Sequence, residues 1–167
     1  MEAKSVSEST VDITHVMMPY DANPAGIIHG GEIMKQIDNA AGVVSVRHTR
    51  KICVTASIDR IDFHNPAHIG NLLTFKASLN MVSKSSMEVG VRVEREDLLS
   101  GEIAHIASAY LTFVALGDDF KPTRSIPELK IETDDEQRRY KEAIKRKELR
   151  LSQKQYEVEC QLDSTKC

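Results

Sequence analysis

The stretch 23-NPAGIIHGGEIMKQIDNAAG-42 decides the fold. Within it Ile33, Ile37, Ala40 and Ala41, continued by Val44, recur at spacings of three and four. That period is one buried face of an α-helix. The chain entering the helix is turn-rich, with Asn23 and Pro24, then Gly26, then Gly30 and Gly31. The spacing predicts a helix over about 32–48. Glu32 in its first turn and Arg47, His48 and Arg50 at its end suit the helix dipole. Its second half, "AGVVSV", is small and β-branched, a poor helix former by itself. Such a segment is helical only where packing decides, as when a sheet wraps it. Asp38 is the anomaly, a carboxylate beside the apolar face and next to Ile37.

Around this helix the period changes to two. "VDITHVMM" before it is a short strand that Pro19 ends. Four longer runs follow. "VTASIDRIDFHNP" alternates Ile58, Arg60 and Asp62 with Asp59, Ile61 and Phe63. "NLLTFKASLNMV" aligns Leu73, Phe75, Ala77, Leu79 and Met81, and "SMEVGVRVERED" aligns Met87, Val89, Val91 and Val93 opposite Glu88, Arg92 and Glu94. "EIAHIASAYLTFVAL" is long and largely apolar, the pattern of a central strand. The turns "AHIG", "SKSS" and "LLSG" are short, which favours antiparallel neighbours. After a loop with two prolines, 133–153 reads as a solvated helix opened by a capping box of Thr133 and Glu136. Asp134 with Arg138 and Glu142 with Arg146 are spaced four apart for ion pairs along it. The remainder to Cys167 is expected to fray.

Composition excludes several classes. The chain has 167 residues, 41% hydrophobic and 28% charged, with a formal net charge of −3. This is one domain with an appendage, placed at 8–129 and 130–167. A balance so close to neutral gives no bulk attraction to nucleic acid. No apolar run approaches the ~18–20 residues of a membrane span. The polar start "MEAKSVSEST" is unlike a signal peptide, so a cytoplasmic protein is expected. Cys53, Cys160 and Cys167 form neither a disulfide framework nor a metal spacing. No metal and no cofactor is expected.

The helix motif resembles the signature of acyl-CoA thioesterases of the cytosolic acyl-CoA hydrolase type, in single-domain bacterial form: N-x-x-G-x-x-x-G-G-x-x-[ML]-x-x-x-D-x-x-[AG]. Asn23, Gly26, Gly30, Gly31, Met34, Asp38 and Ala41 fit it. "DFHNPAHIGNLL" is similar to the family's F-x-x-P-x-x-x-G-[DN] strand and turn through Phe63, Pro66, Gly70 and Asn71, and "SKSSMEVGVRVE" looks like its following loop and strand. The resemblance covers about 11–129. It implies an α+β hot-dog fold, a curved antiparallel sheet wrapped around one long central helix, here with a C-terminal surface helix added. It also implies acyl-CoA as substrate, with CoA a part of that substrate, and a catalytic dimer built up to a trimer of dimers.

Thioester hydrolysis needs an attacking oxygen, a destination for its proton and donors for the oxyanion. Asp38 suits either a base that activates water or a nucleophile that forms a mixed anhydride. Enclosure by the sheet would desolvate it and raise its pKa. Gly30 and Gly31 place free N–H groups at a helix N-terminus, with Gly31 the expected oxyanion donor. Both also suit a plain tight turn. Asn23 has a donor and an acceptor for water or the thioester carbonyl. By the resemblance it acts across the dimer, opposite Asp38. The competing reading is an ordinary Asn-Pro turn. His29 fits loop packing or the lining of the cleft. Ser83, Lys84, Ser85 and Ser86 form a polar, basic hairpin loop suited to CoA phosphates or to a simple turn, and Arg124 is a weaker candidate for the same ligand. Arg47, His48, Arg50 and Lys51 fit dipole compensation.

A hot-dog protein of another kind remains as the alternative. A dehydratase would carry a catalytic His in an "HFP"-type loop, which is absent. A non-catalytic acyl-CoA-binding or sensing protein of this fold is separated from an enzyme by one thiol-release assay. The C-terminal helix, with a narrow stripe of Tyr140, Ile144, Leu149 and Leu151, is expected to decorate the core without entering the chemistry. Removal of everything after Leu129 is then expected to spare hydrolysis.

Overall fold

The computed structural model describes residues 2–162. The last part of the tail expected to fray, with Cys167, lies outside the described residues. The elements in chain order are β1 (Lys4–Ser5), β2 (Val11–Val16), α1 (Gly30–Thr49), β3 (Cys53–Phe63), β4 (Leu72–Val82), β5 (Ser86–Glu96), β6 (Ile103–Ala115), β7 (Leu129–Lys130) and α2 (Asp134–Leu162). Short 3-10 turns, Val6–Glu8 and Pro19–Asp21, flank β2. The five long strands form one antiparallel sheet in the order β2-β4-β5-β6-β3. This is the hot-dog arrangement, with β6 internal as its apolar run requires.

α1 is helical because its surroundings make it so. Ile33, Ile37, Ala40, Ala41 and Val44 are buried against the inner face of the sheet. That face carries Leu73, Phe75, Ala77 and Leu79 from β4, Met87, Val89, Val91 and Val93 from β5, and Ala107, Ala109, Leu111 and Phe113 from β6. Each large aliphatic or aromatic side chain enclosed here contributes about 1.5–3 kcal/mol relative to exposure. The weak second half is accommodated because its buried hydroxyls turn back into the helix. Ser45 donates to the Ala41 carbonyl at 2.9 Å and Thr49 to the Ser45 carbonyl at 2.9 Å. Arg50 ends the helix in the left-handed region, φ 55°, its N–H on the Val46 carbonyl at 2.8 Å.

α2 departs from the sequence expectation. It runs to Leu162, past 153. The capping box is present: Glu136 N–H donates to Thr133 Oγ1 and Thr133 N–H to Glu136 Oε2, both at 3.2 Å. Arg138 pairs with Asp135 and Glu142 in place of Asp134. Leu149 and Leu151 stay exposed, so the docked apolar set is the buried Ala143 with the half-buried Tyr140 and Ile144.

The surface helix docks on the polar outer face of the sheet as a third layer. Arg146 donates to Glu88 Oε1 at 2.7 Å and stacks 3.8 Å over the Tyr110 ring. Glu88 is 1% exposed, and Asn80 Nδ2 donates to it as well at 2.9 Å. Arg150 bonds Asp59 on β3 and Thr112 on β6. The face makes room for this with Gly90, where a Cβ would stand 2.7 Å from Asn80 Nδ2.

The chain before residue 8 is also tied to the fold. β1 pairs in parallel with β7, and Val6 is buried. Close by, Lys4 donates to the His48 carbonyl at 2.7 Å. The His48 ring is fully buried, with Nε2 3.0 Å from the Pro127 carbonyl and Nδ1 without a partner. Since only a protonated nitrogen can serve that carbonyl, the neutral ring carries its proton on Nε2. Burial pushes the His48 pKa down, more than the Pro127 bond holds it up. The unfolded chain therefore binds this proton more readily than the folded one. The His48 contribution to stability is fully present above the unfolded value of about 6.5 and is lost as pH falls from there through the lower folded pKa. Urea midpoints are expected to drop between pH 7 and pH 5, with a shallower drop in His48→Gln. An identical slope in the variant would clear His48 of this role.

Candidate active site

Asp38 lies on the flank of α1 that faces β3. Its neighbours Ile37 and Ala41 are buried, while Asp38 itself is half-buried. The enclosure expected of a wrapped helix is therefore incomplete, because β3 is the last strand of the sheet and no strand pairs beyond it among the described residues. Thr55 on β3 donates to Asp38 Oδ1 at 2.6 Å. Immediately after Thr55 the pairing with β6 slips at a bulge, from Thr55 opposite Phe113 to Ser57 opposite Thr112. Bulges re-aim side chains and commonly flank sites. Asp38 Oδ2 has no partner among the described residues and is available to a water or substrate. Val43 and Val46 of α1, Ile52 just before β3, and Val54 and Ile58 along it are all exposed. The carboxylate thus opens onto an unpaired strand edge flanked by uncovered apolar side chains.

The helix entrance is built differently from expectation. His29 is the N-cap of α1: its Nδ1 accepts the Gly31 N–H at 2.9 Å. The N–H assigned to the oxyanion already has a partner, so Gly31 becomes available only if the His29 ring turns aside. The Gly30 N–H has no partner among the described residues and is the open donor of the pair. A Cβ at Gly31 would lie 3.0 Å from His29 Nδ1, so glycine here permits the cap.

Asn23 sits in a pinned loop. Its N–H donates to the Ile27 carbonyl at 2.8 Å, and its Oδ1 accepts the Ala25 N–H at 2.9 Å, an Asx turn. The turn reading is thus correct for Oδ1, while Nδ2 has no partner among the described residues. Among the described residues no hydrogen bond joins Asn23 to Asp38.

Ser83, Lys84, Ser85 and Ser86 form the β4–β5 turn, closed by Ser83 N–H on the Ser86 carbonyl at 2.7 Å. They share the end of the sheet at which β3 begins, since Ser86 pairs with Val114 and Thr55 with Phe113. The loop after β6 lies beside them. Ala115 N–H donates to the Ser85 carbonyl, and Thr123 N–H, next to Arg124, donates to the Ala115 carbonyl. Arg50 and Lys51 line a shallow hollow with Val46, Ile52 and Cys53 at this same end. A second cleft, of about 470 Å³, lies under α2 on the outer face. Its cations are neutralised: Lys76 and Arg92 by Glu94, Arg138 by Asp135 and Glu142, Arg139 by Asp135, and Arg146 by Glu88.

Sequence reasoning missed Thr55 and the capping role of His29. The spacing of His29 two before Gly31 is a signal for the cap, since a ring nitrogen reaches the N–H two residues on. Nothing in the strand pattern marks Thr55 apart from the other threonines of the sheet.

Residues 25–102 match the thioesterase superfamily model. The chain is 43% identical to protein VdlD of Helicobacter pylori, over 83% of this chain and 78% of that one. It is 35% identical to the uncharacterized acyl-CoA thioester hydrolase YkhA of Bacillus subtilis, over 93% of this chain and 90% of that one. Among solved structures, a hexameric acyl-CoA thioesterase superposes with a TM-score of 0.88 at 34% identity, covering 92% of this chain and 97% of that one. The acyl-CoA hydrolase of Staphylococcus aureus, solved with butyryl coenzyme A and coenzyme A, gives 0.87 at 33% identity over 98% of each chain. Alanine variants of that hydrolase replace an aspartate, an asparagine and a threonine. Those three are spaced along that chain as Asp38, Asn23 and Thr55 are along this one.

Proposed function

The chain belongs to the thioesterase superfamily, among its acyl-CoA hydrolases, and from that premise we propose that it cleaves the thioester of acyl-CoA to a free carboxylic acid and CoA. The observation that carries the proposal is the Asp38–Thr55 pair, an anchored carboxylate with one free oxygen facing an open strand edge. Thr55 fixes Oδ1, so Oδ2 takes the proton of a water as that water attacks the thioester carbonyl. The carbonyl oxygen gains negative charge, which the Gly30 N–H meets, joined by that of Gly31 once His29 turns. When the tetrahedral centre collapses, the C–S bond breaks and CoA leaves as thiolate, taking up the proton. Donors fixed in advance at the developing oxyanion are worth several kcal/mol in rate. The spacing of the three positions altered in the Staphylococcus aureus hydrolase supports Asp38, Asn23 and Thr55 as one constellation. Incubation with a series of acyl-CoA thioesters and a thiol reagent tests the activity. Binding without thiol release would support the sensing alternative.

The second half of the site comes from another copy. An exposed edge strand is an invitation to pair. β3 is such an edge, and Val54, Ile58, Val43 and Val46 beside it are uncovered. Pairing of β3 with the β3 of a second subunit continues the sheet, covers these side chains and brings a partner loop carrying Asn23 toward Asp38. The hexameric relative supports further assembly as a trimer of dimers. Light scattering at micromolar concentration is expected to return the mass of a dimer or a multiple of it. A monomer that still hydrolyses acyl-CoA would remove the shared site. No described helix is long and apolar enough to cross a membrane.

A further inference from the structure

We propose that α2 takes part in substrate recognition: Lys147 reaches over the edge of the sheet and completes, with the Ser83–Ser86 turn, a site for the phosphates of the CoA nucleotide. This rests on acyl-CoA being the substrate. Along α2 the side chains of Ala143, Arg146, Lys147 and Arg150 share one face, at spacings of three and four. Arg146 and Arg150 end on carboxylates of the sheet, Glu88 and Asp59. Lys147 does not. Its half-buried ammonium donates to Ser83 Oγ at 2.6 Å, a neutral partner. Two of its three N–H donors remain, and no carboxylate lies within ion-pair distance of it among the described residues.

Lys84, in the same turn, likewise has no carboxylate partner among the described residues, nor does Arg124 on the neighbouring loop. The backbone N–H groups of Lys84 and Ser85 also have no partner among the described residues. The contrast with the cleft under α2, where each cation is neutralised, is the point. Uncompensated ammonium groups beside free N–H and hydroxyl donors are what a phosphate needs. The turn stands at the end of the sheet where Thr55 begins its strand, so one ligand that reaches from a surface phosphate to the carboxylate at Asp38 suits the arrangement. CoA is such a molecule, with a charged nucleotide at one end, the thioester at the other and a flexible arm between.

The test compares two substrates that share the thioester and the arm. Butyryl-CoA carries the phosphorylated nucleotide; S-butyryl-pantetheine lacks it. Lys147→Gln is expected to raise KM for butyryl-CoA roughly three- to tenfold, the size of one charge-assisted hydrogen bond at a partly solvated site. Its kcat should hold, and its kinetics with S-butyryl-pantetheine should match the wild type. Lys147→Arg, which keeps the charge, should restore the low KM, and Lys145→Gln, an exposed neighbour on α2, should change nothing. An unchanged KM for butyryl-CoA in Lys147→Gln would overturn the proposal, as would an equal loss on both substrates. A wild-type protein that releases thiol from neither substrate would instead overturn the hydrolase reading itself, and this inference with it.

Discussion

Arg146→Ala is expected to destabilise the protein by about 3 kcal/mol, because it strands Glu88 without its counter-charge. Glu88 is 1% exposed and is held by Arg146 and Asn80. The same substitution also removes the cation stacked on Tyr110 and opens the sheet face that α2 covers. A buried ion pair contributes little net stability against an apolar replacement, but half of one is costly. The double variant Glu88→Gln with Arg146→Met is therefore expected to recover most of the loss. Urea denaturation of the two, at pH 7 and fixed protein concentration, separates these outcomes. If Arg146→Ala unfolds within 0.5 kcal/mol of the wild type, roughly the scatter of neutral surface substitutions, the third layer is dispensable. The same reasoning bears on the chain cut after Leu129. The sequence suggests that such a chain keeps its activity, whereas the structure implies that it exposes Glu88, Asn80 and Asp59 together and loses stability first.

Asp38→Asn is expected to lower kcat for acyl-CoA by about 10²–10⁴, the usual worth of a positioned general base. Asparagine keeps the shape and can still accept the Thr55 hydroxyl hydrogen, so the fold and the assembly should survive. Thr55→Val should cost less, about tenfold, since it frees the carboxylate without removing it. Asn23→Ala should fall between these two. Thiol release measured on gel-filtered protein decides the matter. Near-normal turnover in Asp38→Asn would transfer the chemistry elsewhere and leave the carboxylate a partner for Thr55 alone.

The inner half of the molecule is legible in the sequence because burial there follows strict periods. Ile33, Ile37, Ala40, Ala41 and Val44 repeat with the helix, and Leu73, Phe75, Ala77 and Leu79 with the strand, and each meets the core. The outer half is illegible for the opposite reason. Glu88 alternates outward on β5 as any solvated residue would, and Arg146 sits in a run of charges that reads as a wet helix face. A polar pattern reports that an apolar partner is missing; it does not say whether water or a second polar layer takes that place. The candidate site divides likewise. Asp38, Asn23 and the two glycines are caught by a motif within one short stretch. Thr55 is 17 residues from Asp38 in sequence, and only the fold joins them. The Gly31 assignment left out the His29 ring, because a free N–H at a helix start is a statement about backbone, while the ring that occupies it here belongs to the cap.

The order β2-β4-β5-β6-β3 also dictates when the pieces of the site can meet as the chain is made. β4, β5 and β6 are joined by short hairpins, so each finds its neighbour soon after it leaves the ribosome. β3, carrying Thr55, is made earlier than all three, yet within the chain its partner is β6, the last long strand to emerge. Until then α1 has no complete wall and its "AGVVSV" half has little reason to be helical. On this topology Asp38 and Thr55 are expected to meet late, at the closing of the sheet, and the strand that closes it is the same edge strand proposed above to meet a second copy. If that edge is the one used, completion of the carboxylate pair and readiness for assembly coincide.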